Sequence, residues 1–115
     1  MNLLIENLDK TKTFWQNIGF SFIEQFSFNK PLCLVLNDGM IYSMLITQGM
    51  FSIFTNRPMS EGTTTQVLMA IEVNSRKQVD EIVRLAIENG GIRYRQSIGC
   101  DRMYYDCSAD LDGHQ

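Results

Sequence analysis

The pattern that most restricts this chain is one supersecondary unit stated twice. The first statement is a short apolar strand (Leu3, Leu4, Ile5), a polar break at Asn7, an amphipathic helix ending at Gly19 and a strand opening at Phe20. The second is an apolar strand over residues 67–73, a polar break at Asn74 and Ser75, a stronger helix ending at Gly90 and Gly91, and a strand opening at Ile92. Hardly any residue is shared between the halves, so the repeat is one of hydrophobic pattern. A repeat of this length implies a duplicated βαβ-type module; a solenoid needs at least three shorter units to bury a continuous core. Paired modules tend to place a ligand between them.

At 115 residues the chain is expected to form one domain with its own core. Its 44% hydrophobic and 20% charged residues are globular values. A net charge of −3 and a pI near 5.0 leave no basic face, which argues against nucleic acid and anionic membrane as partners. No apolar run approaches the roughly 20 residues of a spanning helix. The opening Met1 to Glu6 lacks the charged and apolar regions of a signal peptide, so a cytoplasmic protein is the expectation. Cys33, Cys100 and Cys107 are an odd number with no C-x-x-C pair, which disfavours a disulfide framework or a tetrahedral zinc site. Cys33 sits in an apolar run and reads as a core residue, Cys100 as an exposed thiol in a turn.

Thr11, Phe14, Trp15 and Ile18 fall at the spacing of one buried stripe, which predicts a helix over residues 9–18. Phe20, Phe22, Phe26 and Phe28 alternate with smaller or polar residues and predict a strand with an aromatic face, either core or subunit interface. Residues 32–36 and 40–47 read as strands joined by Asn37-Asp38-Gly39, a strong hairpin signal. Between residues 48 and 66 periodicity fades, with a helical turn at 50–54 and a long loop, the kind of segment that often serves as a lid or crossover. Ser75 and Gln78 form a capping box for the second helix, whose buried stripe is Val79, Ile82, Val83 and Ala86. Strands near 92–97 and 103–108 follow, then a turn at Asp110-Leu111-Asp112-Gly113.

These residues carry a resemblance. Asn7-Leu8-Asp9, Phe14-Trp15 and Gly19-Phe20 resemble the opening of the vicinal oxygen chelate superfamily (glyoxalases, bleomycin-resistance proteins, extradiol dioxygenases). The tail Asp110-Leu111-Asp112-Gly113-His114 is similar to its closing D-P-D-G-x signature, with Leu111 in place of proline. The resemblance implies an α+β fold: two βαβββ modules whose mixed sheets curl into a half-barrel cup, with the last strand truncated, commonly as a dimer. It divides the chain into module one at about 1–48, a crossover loop at about 49–66 and module two at about 67–115.

Enzymes of that superfamily hold a divalent metal with four His, Gln or Glu side chains and use it as a Lewis acid. Placed on this chain, the first and fourth ligand positions fall outside it, and the internal two fall on or beside Leu45 and Leu68. Leucine offers no lone pair, so the resemblance implies a member lacking the metal ligands and no cofactor. His114 is read as turn-end surface. If Leu45 and Leu68 face the cup, alternation puts Ser43, Thr47, Ala70 and Glu72 beside them. Glu72 is then either a strand-end carboxylate in solvent, or paired with Arg93 or Arg95, or else a polar anchor or general base in an apolar pocket. Tyr104 and Asp106 share one face of the late strand and complete the candidates Ser43, Leu45, Leu68, Glu72, Tyr104 and Asp106.

The leading expectation is a protein that binds a small molecule in the cup without a catalytic metal, as a homodimer. The alternatives are a metal-independent lyase or isomerase working through Glu72, Asp106 or a tyrosine, a lactoylglutathione-lyase-like enzyme with a displaced site, and a non-catalytic structural or regulatory dimer. In the last, the seven methionines fill the cup from within.

Overall fold

Two side-chain caps start the two long helices. Asn7 is extended, and its Oδ1 accepts from the Lys10 N–H at 2.9 Å; Ser75 is likewise extended, and its Oγ accepts from the Gln78 N–H at 3.2 Å. Gln78 Oε1 reaches back to the Asn74 N–H at 3.1 Å, so the expected capping box is reciprocal but closes one residue further out. At the far end of the first helix Gly19 takes φ 102°, the left-handed turn anticipated there.

The computed structural model describes residues 1–23, 31–100 and 103–115. Within them the order is β1 (Asn2–Ile5), α1 (Leu8–Asn17), β2 (Ser21–Ile23), β3 (Leu32–Asn37), β4 (Ile41–Thr47), α2 (Gln48–Phe51), α3 (Arg76–Glu88), β5 (Ile92–Cys100) and β6 (Met103–Ala109). Module one forms a mixed sheet of order β1-β4-β3-β2, with β1 and β4 parallel and the other pairs antiparallel. Module two forms the separate hairpin β5-β6. The result is a small α+β fold whose mixed sheet does not close into a barrel. Among the described residues no helix is long and apolar enough to cross a membrane.

Register assigns faces. Leu3 pairs with Leu45, Leu32 with Leu45, Leu34 with Ser43, and Phe22 with Leu34, so these side chains share one side of the sheet. That side receives Phe14, Trp15 and Ile18 of α1 and Ala86 of α3, which together make the core. Trp15 stands edge-on to both Phe14 and Phe20, with centroids 5.8 and 5.2 Å away. Its indole N–H has no hydrogen-bond partner among the described residues. Phe22 packs against this core, the first of the two alternatives for the aromatic row; Phe26 and Phe28 lie outside the described residues.

Two expectations are corrected here. Residues 67–73, expected as a strand, join no sheet. The alternation is still real: Val67, Met69 and Ile71 pack onto the common core, while Leu68, Ala70 and Glu72 point outward. Ser43 and Leu45 do not face a cup beside Leu68. Both are 0% exposed on the helix-covered side, whereas Leu68 is 71% exposed. The physical reason is parity, since a one-residue difference in a strand exchanges its faces.

Leu45→Ala should therefore cost about 2–5 kcal/mol of stability, and Leu68→Ala under about 0.5 kcal/mol. Urea denaturation of the two variants checks the assignment; equal losses would contradict it.

Candidate functional site

The most ordered polar cluster forms where the two modules meet, and the closing turn builds it. Asp110 Oδ1 accepts from the Asp112 N–H at 3.0 Å and the His114 N–H at 2.9 Å, and Gly113 at φ 83° bends the chain back. The Asp110 N–H also donates to His114 O at 3.0 Å. His114 Nδ1 lies 2.9 Å from Asp110 Oδ2 and its Nε2 lies 2.7 Å from Gln66 Oε1. A carboxylate has no proton to give, so Nδ1–H is the donor to Asp110. Asp110 is 6% and His114 3% exposed, and both ring nitrogens are engaged. The expectation that His114 is turn-end surface is overturned, because the turn folds the imidazole inward.

Asp112 ties the same turn to module one. Its Oδ1 accepts from the Glu6 N–H at 2.8 Å and its Oδ2 from Thr11 Oγ1 at 2.9 Å. Beside this knot lies a cleft of about 350 Å³. One wall is the end of β1 and the β4–α2 junction, with Glu6, Thr47 and Gln48; the second is the crossover, with Ser60, Glu61, Thr64 and Gln66; Asp112, Gly113 and His114 form the third. The crossover wall is a closed turn: Ser60 and Thr64 hydroxyls are 2.6 Å apart, and the Thr64 N–H donates to Glu61 O at 2.9 Å. Carboxylates and carbonyls supply acceptors, while amides and hydroxyls supply donors. Such a lining orients a small hydrogen-bonding molecule.

None of the six residues read from sequence lines this cleft. Tyr104 faces α3: its Oη donates to Asp80, and the Arg76 guanidinium lies 5.4 Å from its ring centroid. Both Asp106 oxygens accept from the one Arg93 Nη1, Oδ1 at 2.9 Å and Oδ2 at 2.7 Å, and Oδ1 also accepts from the Cys107 N–H. Arg93 thus pairs with Asp106 and not with Glu72, which stands exposed on the outer side of residues 67–73. On β5, burial and then a hydrogen bond with Cys107 push the Tyr94 phenol above its ordinary range, with Arg95 opposing.

The donor set does not suit the superfamily's divalent metal. The positions on or beside Leu45 are Met44 and Ile46, and those flanking Leu68 are Val67 and Met69. No three His, Cys, Asp or Glu side chains converge among the described residues.

Sequence reasoning missed Asp110, His114 and Gln66. An Asp three residues before a turn glycine signals backbone capping, and that much was readable. Gln66 lies 48 residues from His114, and nothing local announces the contact.

No family model matches the sequence, and no curated protein matches it. Solved structures do share its fold. A hypothetical protein from S. aureus superposes with a TM-score of 0.83 at 24% identity, over 98% of this chain and 84% of that one. A glyoxalase/bleomycin resistance protein/dioxygenase family enzyme from Burkholderia phytofirmans PsJN gives 0.78 at 16% identity, over 99% and 90%. A glyoxalase-related enzyme from Fulvimarina pelagi gives 0.80 at 16% identity, over 99% and 80%. The resemblance drawn from sequence motifs and these superpositions point to the same superfamily fold.

Asp110→Ala should strip a buried imidazole and two main-chain donors of their acceptor and cost about 3 kcal/mol or more. Asp112→Ala, at the cleft edge, should cost about 1 kcal/mol. Urea denaturation followed by Trp15 fluorescence separates the two.

Proposed function

We propose that this protein binds a small polar molecule in the junction cleft and does so without the divalent metal of its structural relatives. The observation that carries the reading is the cleft lining, in which hydrogen-bonding groups from both modules and the crossover converge around one opening. The fold shared with glyoxalase and bleomycin-resistance proteins supports it, since that fold is found in resistance proteins as well as enzymes. The aliphatic side chains at the metal positions support the metal-free half.

The protein works as a homodimer. Ile53 and Phe54, 76% and 69% exposed on the crossover, are large apolar side chains of the kind an interface covers.

A thermal-shift screen of small polar compounds tests the binding reading. Glu61→Gln should leave the fold intact, because the crossover turn is held by the Ser60 and Thr64 hydroxyls and the Glu61 main-chain carbonyl. It should weaken a ligand that bonds this carboxylate by about 1.5–3 kcal/mol. A screen with no shift, or a ligand indifferent to Glu61→Gln and Thr64→Val together, would remove the cleft as the site. For the dimer, sedimentation should show a dimer at micromolar concentration and a monomer after Phe54→Asp; a wild-type monomer refutes it. Elemental analysis should find no stoichiometric divalent metal in protein purified without chelator.

A further inference from the structure

The two long helices are joined at their C-terminal ends by a pair of side-chain amides. Asn17, the last residue of α1, donates from Nδ2 to Asn89 Oδ1 at 2.7 Å. Asn89 caps α3, and its own Nδ2 donates to Leu85 O at 2.8 Å. A main-chain carbonyl can only accept, so this second bond fixes which way the Asn89 amide is turned. Both polar atoms of the side chain are thus engaged, one by its own helix and one by the other module. The main chain beyond is held as firmly, with Gly90 N–H donating to Ile87 O at 3.2 Å and Gly91 N–H to Ala86 O at 2.8 Å. Asn89 is also the one asparagine in the sequence that is followed by glycine. The fold needs that glycine, since Gly90 has φ 100° and an added Cβ would come within 3.1 Å of Leu111 Cδ2.

We propose that Asn89 is a site of spontaneous deamidation, gated by the opening of this amide clasp between α1 and α3. A glycine carries no Cβ to shield its main-chain nitrogen or restrict its approach to the side chain before it. The Gly90 nitrogen gives up its proton to solvent and adds to Asn89 Cγ. The Cγ–Nδ2 bond then breaks, Nδ2 takes up a proton and leaves as ammonia, and a cyclic imide remains. Water opens the imide at either carbonyl, which leaves aspartate or isoaspartate at position 89. In the closed arrangement neither reactant is available: the nitrogen is turned to Ile87 O, and the amide is held between Leu85 O and Asn17. The reaction therefore waits for the last turn of α3 to fray, a local opening that does not require the core to unfold. Its product cannot rebuild the clasp. A carboxylate has no proton to give to Leu85 O, and it sets a negative charge at the negative end of the α3 dipole. Isoaspartate also lengthens the main chain at the turn that Gly90 shapes. A molecule once modified opens there more readily, and the joint between the modules is weakened on the side opposite neither to its own repair nor to reversal by solvent.

The test holds the protein at mildly alkaline pH, in buffer and in urea, and follows conversion at position 89 by peptide mass spectrometry. The expected result is conversion in buffer slower than in urea by at least about tenfold. Asn17→Ala should speed conversion several-fold in buffer and leave the rate in urea unchanged. In the same variant amide exchange should quicken at Gly90 and Gly91 and stay as it was at Leu4 and Ile5. Asn89→Asp, which reproduces one product, should lower the Tm. No conversion at position 89 in urea overturns the site, and equal rates in buffer and urea overturn the gate. An Asn17→Ala rate equal to wild type, or exchange quickened at Leu4 and Ile5 as well, overturns the clasp as the element that opens. An unchanged Tm in Asn89→Asp overturns the weakening of the joint.

Discussion

The junction of the two modules depends on the Asp110 carboxylate. It is nearly buried, a costly place for a charge unless hydrogen bonds replace its water. Two main-chain amides and the His114 ring do so, all drawn from the next four residues. That closure brings His114 to Gln66 at the end of the crossover and presents Asp112 to Thr11 and the Glu6 N–H in module one. Segments far apart in sequence thus meet through one local turn, and the cleft takes its third wall from it.

Much of the fold was legible because helix and hairpin signals are local. Asn7, Ser75 and Gln78 mark helix starts by short-range bonds, and Asp38-Gly39 marks a turn by backbone conformation. Residues 67–73 show where such reading ends. Their alternation sets Met69 and Leu68 on opposite sides, as the structure does, but which side is covered, and membership of a sheet, need a neighbour, and a neighbour is a tertiary fact.

The site was less legible for two separate reasons. Ser43 and Leu45 were placed on the wrong side because alternation fixes which residues share a face and not which face the helices cover. Tyr104 and Asp106 were read as sharing one face, but α3 supplies Asp80 and Arg76 to Tyr104, and the neighbouring strand supplies Arg93 to Asp106. These are structural pairings. His114 was discounted because it follows a turn near the chain end, where side chains are commonly exposed. A buried acid two residues before another acid, with glycine next, reverses that expectation.

The mismatch with a divalent metal does not depend on which face of β4 the helices cover. Had only Leu45 been considered, a one-residue slip would have left the question open, since the opposite side of β4 belongs to Met44 and Ile46. Those side chains are no better as ligands for a hard or borderline cation. The same holds around Leu68, where both neighbours are aliphatic or thioether. β4 is therefore apolar on both sides around Leu45, and residues 67–71 are apolar throughout. Polar groups gather instead at the strand ends, where Glu6 follows β1, Gln48 follows β4 and His114 follows the turn after β6. The donors and acceptors that line the proposed cleft therefore come from the module junction and not from a face of the sheet.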